Sequence, residues 1–309
     1  MRAIVTDSYG GPEVLEVREV DDPKVGPDSV LVRVHAASIN PVDYKIVGGN
    51  LDGAFPTVFP LIPGWDVAGE VVGVGPAVRH LEVGQQVFGY GREDYVGGGT
   101  WAELTALNVR AVAPAPPAMD AIEASCLPLA GLTAYQALVE ALEVGSGDTV
   151  LIHAATGGVG TLATQIAVAC GARVIGTCSE PNHELLRSLG GEPTTYGDGL
   201  VDRVRELAPG GVDAVLDLVG GEALDTTGEL LARPGRIVSV TDPRVTDDFG
   251  GVYVFVRPDV AQLQALSGLV EAGQLRAVVQ SVHDLEDVRE AVEEASSGRV
   301  RGKVVLRVP

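Results

Sequence analysis

Between Thr149 and Ala172 the chain carries no Asp, Glu, Lys or Arg, and this run is broken by Ala155-Thr156-Gly157-Gly158-Val159-Gly160. The two sides of the break have different periods. Thr149 to His153 is a short β-branched run of the kind a buried strand uses. Beyond the glycines, Val159, Leu162, Ala163, Ile166, Ala167 and Cys170 recur on one face of a 3.6-residue period. An uncharged stretch of this length could also span a bilayer. The glycines and the change of period favour strand, turn and helix instead, with no membrane partner. The turn matches G-x-G-x-x-G with alanine in the first place. Ala155 is small enough for a tight turn, and Gly157 and Gly158 let a pyrophosphate approach the main-chain amides. Gly160 lets helix and strand pack closely. Free N–H groups and the positive end of the helix dipole then face the anion. The strand–turn–helix context makes a dinucleotide the expected ligand.

The rest of the chain divides around this unit. Before Met119 it is strand-like and rich in turns, with Val30 to Val34 and Val67 to Val74 as apolar runs and almost no helical periodicity. Ala113-Pro114-Ala115-Pro116-Pro117 marks a boundary. Beyond it strands alternate with helices: Arg173 to Thr177, a short helix around Leu185 to Leu189, Leu200 to Leu207, Val212 to Leu218, Gly221 to Leu231 and Arg236 to Val240. Alternation of this kind predicts βαβ units and a parallel sheet covered on both faces. Two further helices, around Val260 to Val270 and Leu285 to Ala295, precede a closing strand, Lys303 to Val308. The fold class is therefore α/β. A β-barrel-like domain over residues 1–118 precedes a doubly wound parallel-sheet domain that begins at 119.

Charge narrows the partners. Lys and Arg number 22 against 42 Asp and Glu, a net charge of −20, which repels nucleic acid and anionic lipid. An anionic cofactor must find its own positive pocket in that field. The three cysteines, Cys126, Cys170 and Cys178, lie in apolar stretches without C-x-x-C spacing, as reduced thiols of a cytoplasmic protein do. Met1-Arg2-Ala3-Ile4-Val5-Thr6-Asp7 lacks the long apolar core expected of a secretory signal. At the end of the second strand of the βαβ unit stand Thr177-Cys178-Ser179. A hydroxyl at Ser179 suits a 2′-phosphate, and His183 and Arg187 are the nearby cations. NADPH is therefore the expected cofactor, with the acid Glu180 the residue that speaks for NADH.

Asn40-Pro41-Val42-Asp43, Pro63-Gly64-Trp65-Asp66-Val67-Ala68-Gly69-Glu70-Val71, Leu129-Ala130-Gly131-Leu132-Thr133-Ala134-Tyr135, the glycine turn and Gly302-Lys303-Val304-Val305-Leu306 occur in this order. Together they resemble the quinone oxidoreductase, or zeta-crystallin-like, branch of the medium-chain dehydrogenase/reductases. The resemblance implies a GroES-like catalytic domain over residues 1–118 completed by 259–309, a Rossmann domain over 119–258, a cleft between them and a homodimer paired through Gly251 to Val256. Zinc members of the superfamily place cysteine, histidine and cysteine where Asn40, Trp65 and a residue near Leu129 stand here. None of these three can supply a thiolate or an imidazole, so no metal is expected.

The resemblance also implies roles. Asn40 and Pro41 lie beside the nicotinamide, and Thr133 lies near its ribose. Thr156, Gly157, Gly158, Val159 and Gly160 hold the pyrophosphate. Cys178, Ser179, His183 and Tyr196 surround the adenosine phosphate, with His183 standing where relatives often carry lysine. Leu218, Val219, Ser239, Phe255 and Val256 pass the nicotinamide half, and Lys303 lies near the cleft. Tyr44, Asn40 and Lys45 are the candidate catalytic residues; Tyr44 is the candidate proton donor, with water the alternative. Asp66 and Lys45 are weaker donor candidates, because both also read as structural partners of surface charges. Without a Lewis acid, hydride transfer suits an activated acceptor, a quinone or an α,β-unsaturated carbonyl. An enoyl reductase acting on a carrier-bound thioester and a non-enzymatic NADPH-binding sensor or scaffold are the alternatives.

Overall fold

A computed structural model describes residues 1–233 and 236–309, in two compact units. The first comprises Met1–Leu129, Arg257–Glu271 and Ala277–Pro309. Its centre is the ten-residue strand Ser29–Ser38, where Val30, Val32, Val34 and Ala36 alternate into the core as period two demands. That strand pairs antiparallel with Asp66–Val74, Leu104–Asn108 and Lys303–Arg307. The sheet runs on to Gln86–Tyr90 and Val112–Pro114 on one side, and ends at Val279–Asp284 on the other. The register is specific. Ser38 stands opposite Val305, Ala36 opposite Ala68, and the Ile39 amide donates to the Val304 carbonyl at 2.9 Å. The end of one strand thus meets the beginnings of two others, at Asp66 and Lys303.

The second unit comprises Ala130–Val256 and Ala272–Arg276. Its six strands are all parallel, ordered Gly191–Thr194, Arg173–Thr177, Thr149–Ile152, Ala214–Asp217, Ile237–Ser239 and Val252–Tyr253. Numbered along the chain this order is 3-2-1-4-5-6, the doubly wound arrangement of a dinucleotide-binding sheet. The uncharged run resolves into the strand Thr149–Ile152, a turn, and the helix Gly158–Ala169. Among the described residues no helix is long and apolar enough to cross a membrane.

Several local expectations shift. The compact units divide after Leu129 rather than at residue 118, because Ala121–Ser125 packs on the strands Ser29–Ser38 and Asp66–Val74. The helix Pro41–Val47 stands in a region without visible helical periodicity, being too short to display one. Proline at its first turn and the Asp43 carboxylate on the Asn40 amide start it instead. The helix expected over Gly221 to Leu231 is only Glu222–Thr227. The strand Val279–Asp284, with one face exposed, pairs parallel with Lys303–Arg307 and adds to the expected elements.

Gly160 and Gly157 make different demands. A methyl added at Gly160 would stand 2.2 Å from the Ala154 carbonyl oxygen, whereas one at Gly157 would meet only that oxygen, at 3.4 Å. Gly160→Ala should therefore cost about 1–3 kcal/mol through backbone displacement, and Gly157→Ala much less. Urea unfolding of both variants checks the contrast.

Candidate active site

In the second unit the strand Thr149–Ile152 leads into a turn stitched to its neighbour. The Ala154 amide donates to Thr177 Oγ1 at 3.0 Å, and the Ala155 amide to the Thr177 carbonyl at 2.9 Å. Gly157 is the N-cap of the helix and no side chain caps that end, so its first-turn amides face outward for an anion. This geometry fits the pyrophosphate of a dinucleotide. The turn is also tied to the end of the second strand. Asn182 Nδ2 donates to Ser179 Oγ at 3.1 Å and to Thr156 Oγ1 at 3.4 Å. Asn182 is absent from the residues expected at the site, since an asparagine in a surface helix start carries no distinctive sequence signal.

The other adenosine-side candidates differ in exposure and in partners. Cys178 is buried, its amide on the Thr194 carbonyl at 3.0 Å, and burial raises its thiol pKa. His183 begins the helix His183–Ser188, and its Nε2 is buried without a hydrogen-bond partner. Tyr196 is 65% exposed, so its ring is open to a ligand. Arg187 is drawn to Glu184 at 2.5 Å. A cation outside the expected set, Arg203, folds back on this loop and donates to the Thr195 and Asp198 carbonyls at 3.0 and 2.8 Å. Glu180 is exposed beside Ser179.

On the other side of the sheet's switch point a buried carboxylate organises the loops. Asp217 accepts from the Val219 and Gly220 amides at 3.0 and 2.9 Å, and from Ser239 Oγ at 2.6 Å. The Ser239 hydroxyl in turn accepts from the Thr241 and Asp242 amides. Ser239 therefore fixes the loops that carry Leu218 and Val219, the latter 54% exposed. His153 is buried between Thr227 and Thr177, and desolvation lowers its pKa so that it is neutral. Thr133 and Val256 are buried, while Phe255 is half-exposed.

In the first unit the convergence of strand ends brings Ser38, Asn40, Asp66 and Lys303 together. Asp66, fully buried, accepts from Ser38 Oγ and Asn40 Nδ2 at 2.8 Å each and from the Leu129 amide at 2.7 Å. Lys303 Nζ lies 2.5 Å from Asn40 Oδ1 and 3.5 Å from Asp66 Oδ2. The reading of Asp66 as the partner of a surface charge is thus corrected: its cation is the equally buried Lys303, 237 residues away. Lys45 is exposed in the last turn of the Pro41–Val47 helix, and Pro41 is exposed at its first. Tyr44 packs partly on the apolar core, and burial, then the neighbouring Asp43, raise its phenol pKa. Trp65 is buried edge-on to Phe55 and Tyr90, with ring centres 5.6 and 5.9 Å away. Burial pushes the nearby Cys126 thiol up to about 12, so it stays protonated.

A buried pair of this kind is costly to break from one side. Asp66→Leu or Lys303→Met alone should destabilise the protein by about 3–5 kcal/mol, by leaving the other charge unpaired. The double substitution should cost clearly less than the sum, which a double-mutant cycle on unfolding free energies measures.

Two family models match the chain: the alcohol dehydrogenase GroES-like domain over residues 26–117, and the zinc-binding dehydrogenase over residues 194–306. The chloroplast envelope quinone oxidoreductase homolog of Arabidopsis thaliana is 31% identical over 99% of this chain and 98% of its own length. The NADPH-dependent alkenal/one oxidoreductase of the same plant is 33% identical over 99% of this chain and 79% of its own. The structure of the quinone oxidoreductase from Coxiella burnetii superposes with a TM-score of 0.89 at 34% identity, covering 100% of this chain and 99% of the other. A doubly wound sheet with an uncapped glycine turn, a GroES-like unit and the quinone oxidoreductase relatives agree: the chain belongs to the quinone oxidoreductase-like branch of the medium-chain dehydrogenase/reductases.

Proposed function

We propose that this protein is an NADPH-dependent reductase that passes hydride to a quinone or an α,β-unsaturated carbonyl without a metal. The observation that carries the proposal is the buried Asn40–Asp66–Lys303 cluster, which stands beside Trp65 where zinc members keep their ligands. Amide, indole and ammonium groups bind no zinc, and the one carboxylate of the cluster, Asp66, is already engaged by Ser38, Asn40, the Leu129 amide and Lys303, which supplies the local positive charge. Bound NADPH supplies the hydride from its nicotinamide ring. The chain's own residues bind, orient and protonate. The open amides at Gly158 to Gly160 receive the pyrophosphate, and Thr156, Ser179 and Asn182 line the way to the adenosine ribose. His183, Tyr196 and Arg203 favour a 2′-phosphate; Glu180 opposes one.

Asn40, pinned on both sides of its amide, presents a fixed edge to the nicotinamide. A conjugated acceptor delocalises the charge that hydride brings, and the proton comes from the Tyr44 phenol, whose raised pKa keeps it protonated at neutral pH. The alkenal/one relative supports the enone reading, and this reading is preferred to a carrier-bound thioester. We further propose a cytoplasmic homodimer paired through the sheet edge at Val252–Tyr253, where Val252 and Tyr253 are exposed.

Anaerobic oxidation of NADPH, followed at the nicotinamide absorbance with a panel of quinones and enones, tests the function. Turnover with NADPH, undiminished by a chelator, is expected; turnover with NADH alone or chelator inactivation contradicts it. Tyr44→Phe should lower kcat for an enone by about 10²-fold; an unchanged kcat assigns the proton to water.

A further inference from the structure

The Asn40 region encloses two carboxyl groups and one ammonium, and the carboxyl groups are not treated alike. Asp66 receives three donors besides Lys303. Asp43, 1% exposed, receives the Asn40 backbone amide at 2.7 Å on Oδ2 and feels the Asn40 side chain as a weaker donor, while its Oδ1 is buried with no close hydrogen-bond partner among the described residues. A carboxylate sealed from water with a bare oxygen is far costlier than the neutral acid. The charged and titratable groups around it are few. Asp66, Lys303 and Tyr90 stand across from Asp43, and Tyr44 is beside it on the same helix. Arg92 acts on Tyr90. The helix Val288–Ser296, packed on Pro41–Val47, gives Val288, Ala291 and Val292 to the core. Its Arg289, Glu290 and Glu293 are exposed, and Glu294 is held by Ser281 and His283.

We infer that Asp43 is a positioning residue that carries its proton in the working enzyme and, as a neutral group, holds the Asn40 backbone while Lys303 and Asp66 hold the Asn40 side chain. The inference rests on the reading of Asn40 as the residue beside the nicotinamide. Burial is the main cause that raises the Asp43 carboxyl, to about 8; the Asn40 amide opposes it, the Asp66 charge adds to it, and Lys303 opposes it. Loss of the proton puts a second negative charge in the cluster. Lys303 is then drawn from Asn40 Oδ1 toward Asp43, and the amide edge loses one of its two anchors. Turnover falls on the alkaline side as a result, through Asn40 rather than through any contact of Asp43 with the substrate.

The test is the ratio of kcat at about pH 9 to kcat at about pH 6.5 in the native protein and in Asp43→Asn, the neutral isostere. One titration with a midpoint near 8 predicts a fall of roughly tenfold in the native protein, and a ratio several-fold closer to one in Asp43→Asn. The same fall in both proteins overturns the inference and leaves the reductase reading intact. Absence of turnover on every acceptor sinks the reductase reading instead. In that case, or if Asp43→Asn does not fold, carbon NMR of native protein labelled at the aspartate carboxyl carbons decides. An aspartate carboxyl titrating with a midpoint near 8 supports the inference, and none titrating above about pH 7 overturns it.

Discussion

The buried carboxylate of Asp66 is the constraint on which the first unit depends. Fully removed from water, it must be compensated, and its four partners come from three separate parts of the chain: Ser38 with Asn40, Leu129, and Lys303. Ser38 and Lys303 are placed by strand pairing rather than by side-chain preference. The pairing of Ser29–Ser38 with Asp66–Val74 and Lys303–Arg307 sets three of them side by side, and the Leu129 amide ties the chain's exit from this unit to the same oxygen pair. A slip of one residue in either ladder would turn Asp66 or Lys303 to the opposite face. The register and the ion pair therefore specify each other.

The second unit uses the same device at a different place. Asp217 is buried at the end of the central strand Ala214–Asp217 and is satisfied by two loop amides and Ser239. Its neighbour across the sheet ends in the glycine turn, where a helix start is left uncapped. One strand end is saturated with donors to an internal carboxylate, and the next offers free donors to an external anion. In a chain with a net charge of −20, that asymmetry leaves the free donors at the glycine turn for an external anion, because the oxygens of the internal acid already have partners of their own.

How much was legible in the sequence depends on how local each signal is. The glycine turn, the strand before it and the helix after it were readable because all three lie within Thr149 to Ala172. The Pro41–Val47 helix and the Val279–Asp284 strand were not readable, one too short for a period and the other polar on its open face. The motif residues Asn40, Asp66 and Lys303 were visible one by one, but their juxtaposition was not. Burial of Asp66 depends on a lysine 237 residues on, and no window of local sequence contains both. Asn182 and Asp43 are silent for a related reason, since each acts on a partner's amide or hydroxyl and an Asn or Asp at a helix start reads as an ordinary cap.

The central claim is that hydride moves directly from a nicotinamide to a conjugated carbon at a site whose positive charge is an ammonium rather than a metal. Its most direct test is the fate of a deuterium carried at the nicotinamide C4 of NADPH, with the two epimers used in turn and an enone as acceptor in ordinary water. The account predicts that one epimer, and only one, places its deuterium on the β-carbon of the saturated ketone, in protein freed of bound metals. Deuterium lost to solvent from both epimers, or transfer that appears only when a divalent metal is restored, would contradict it.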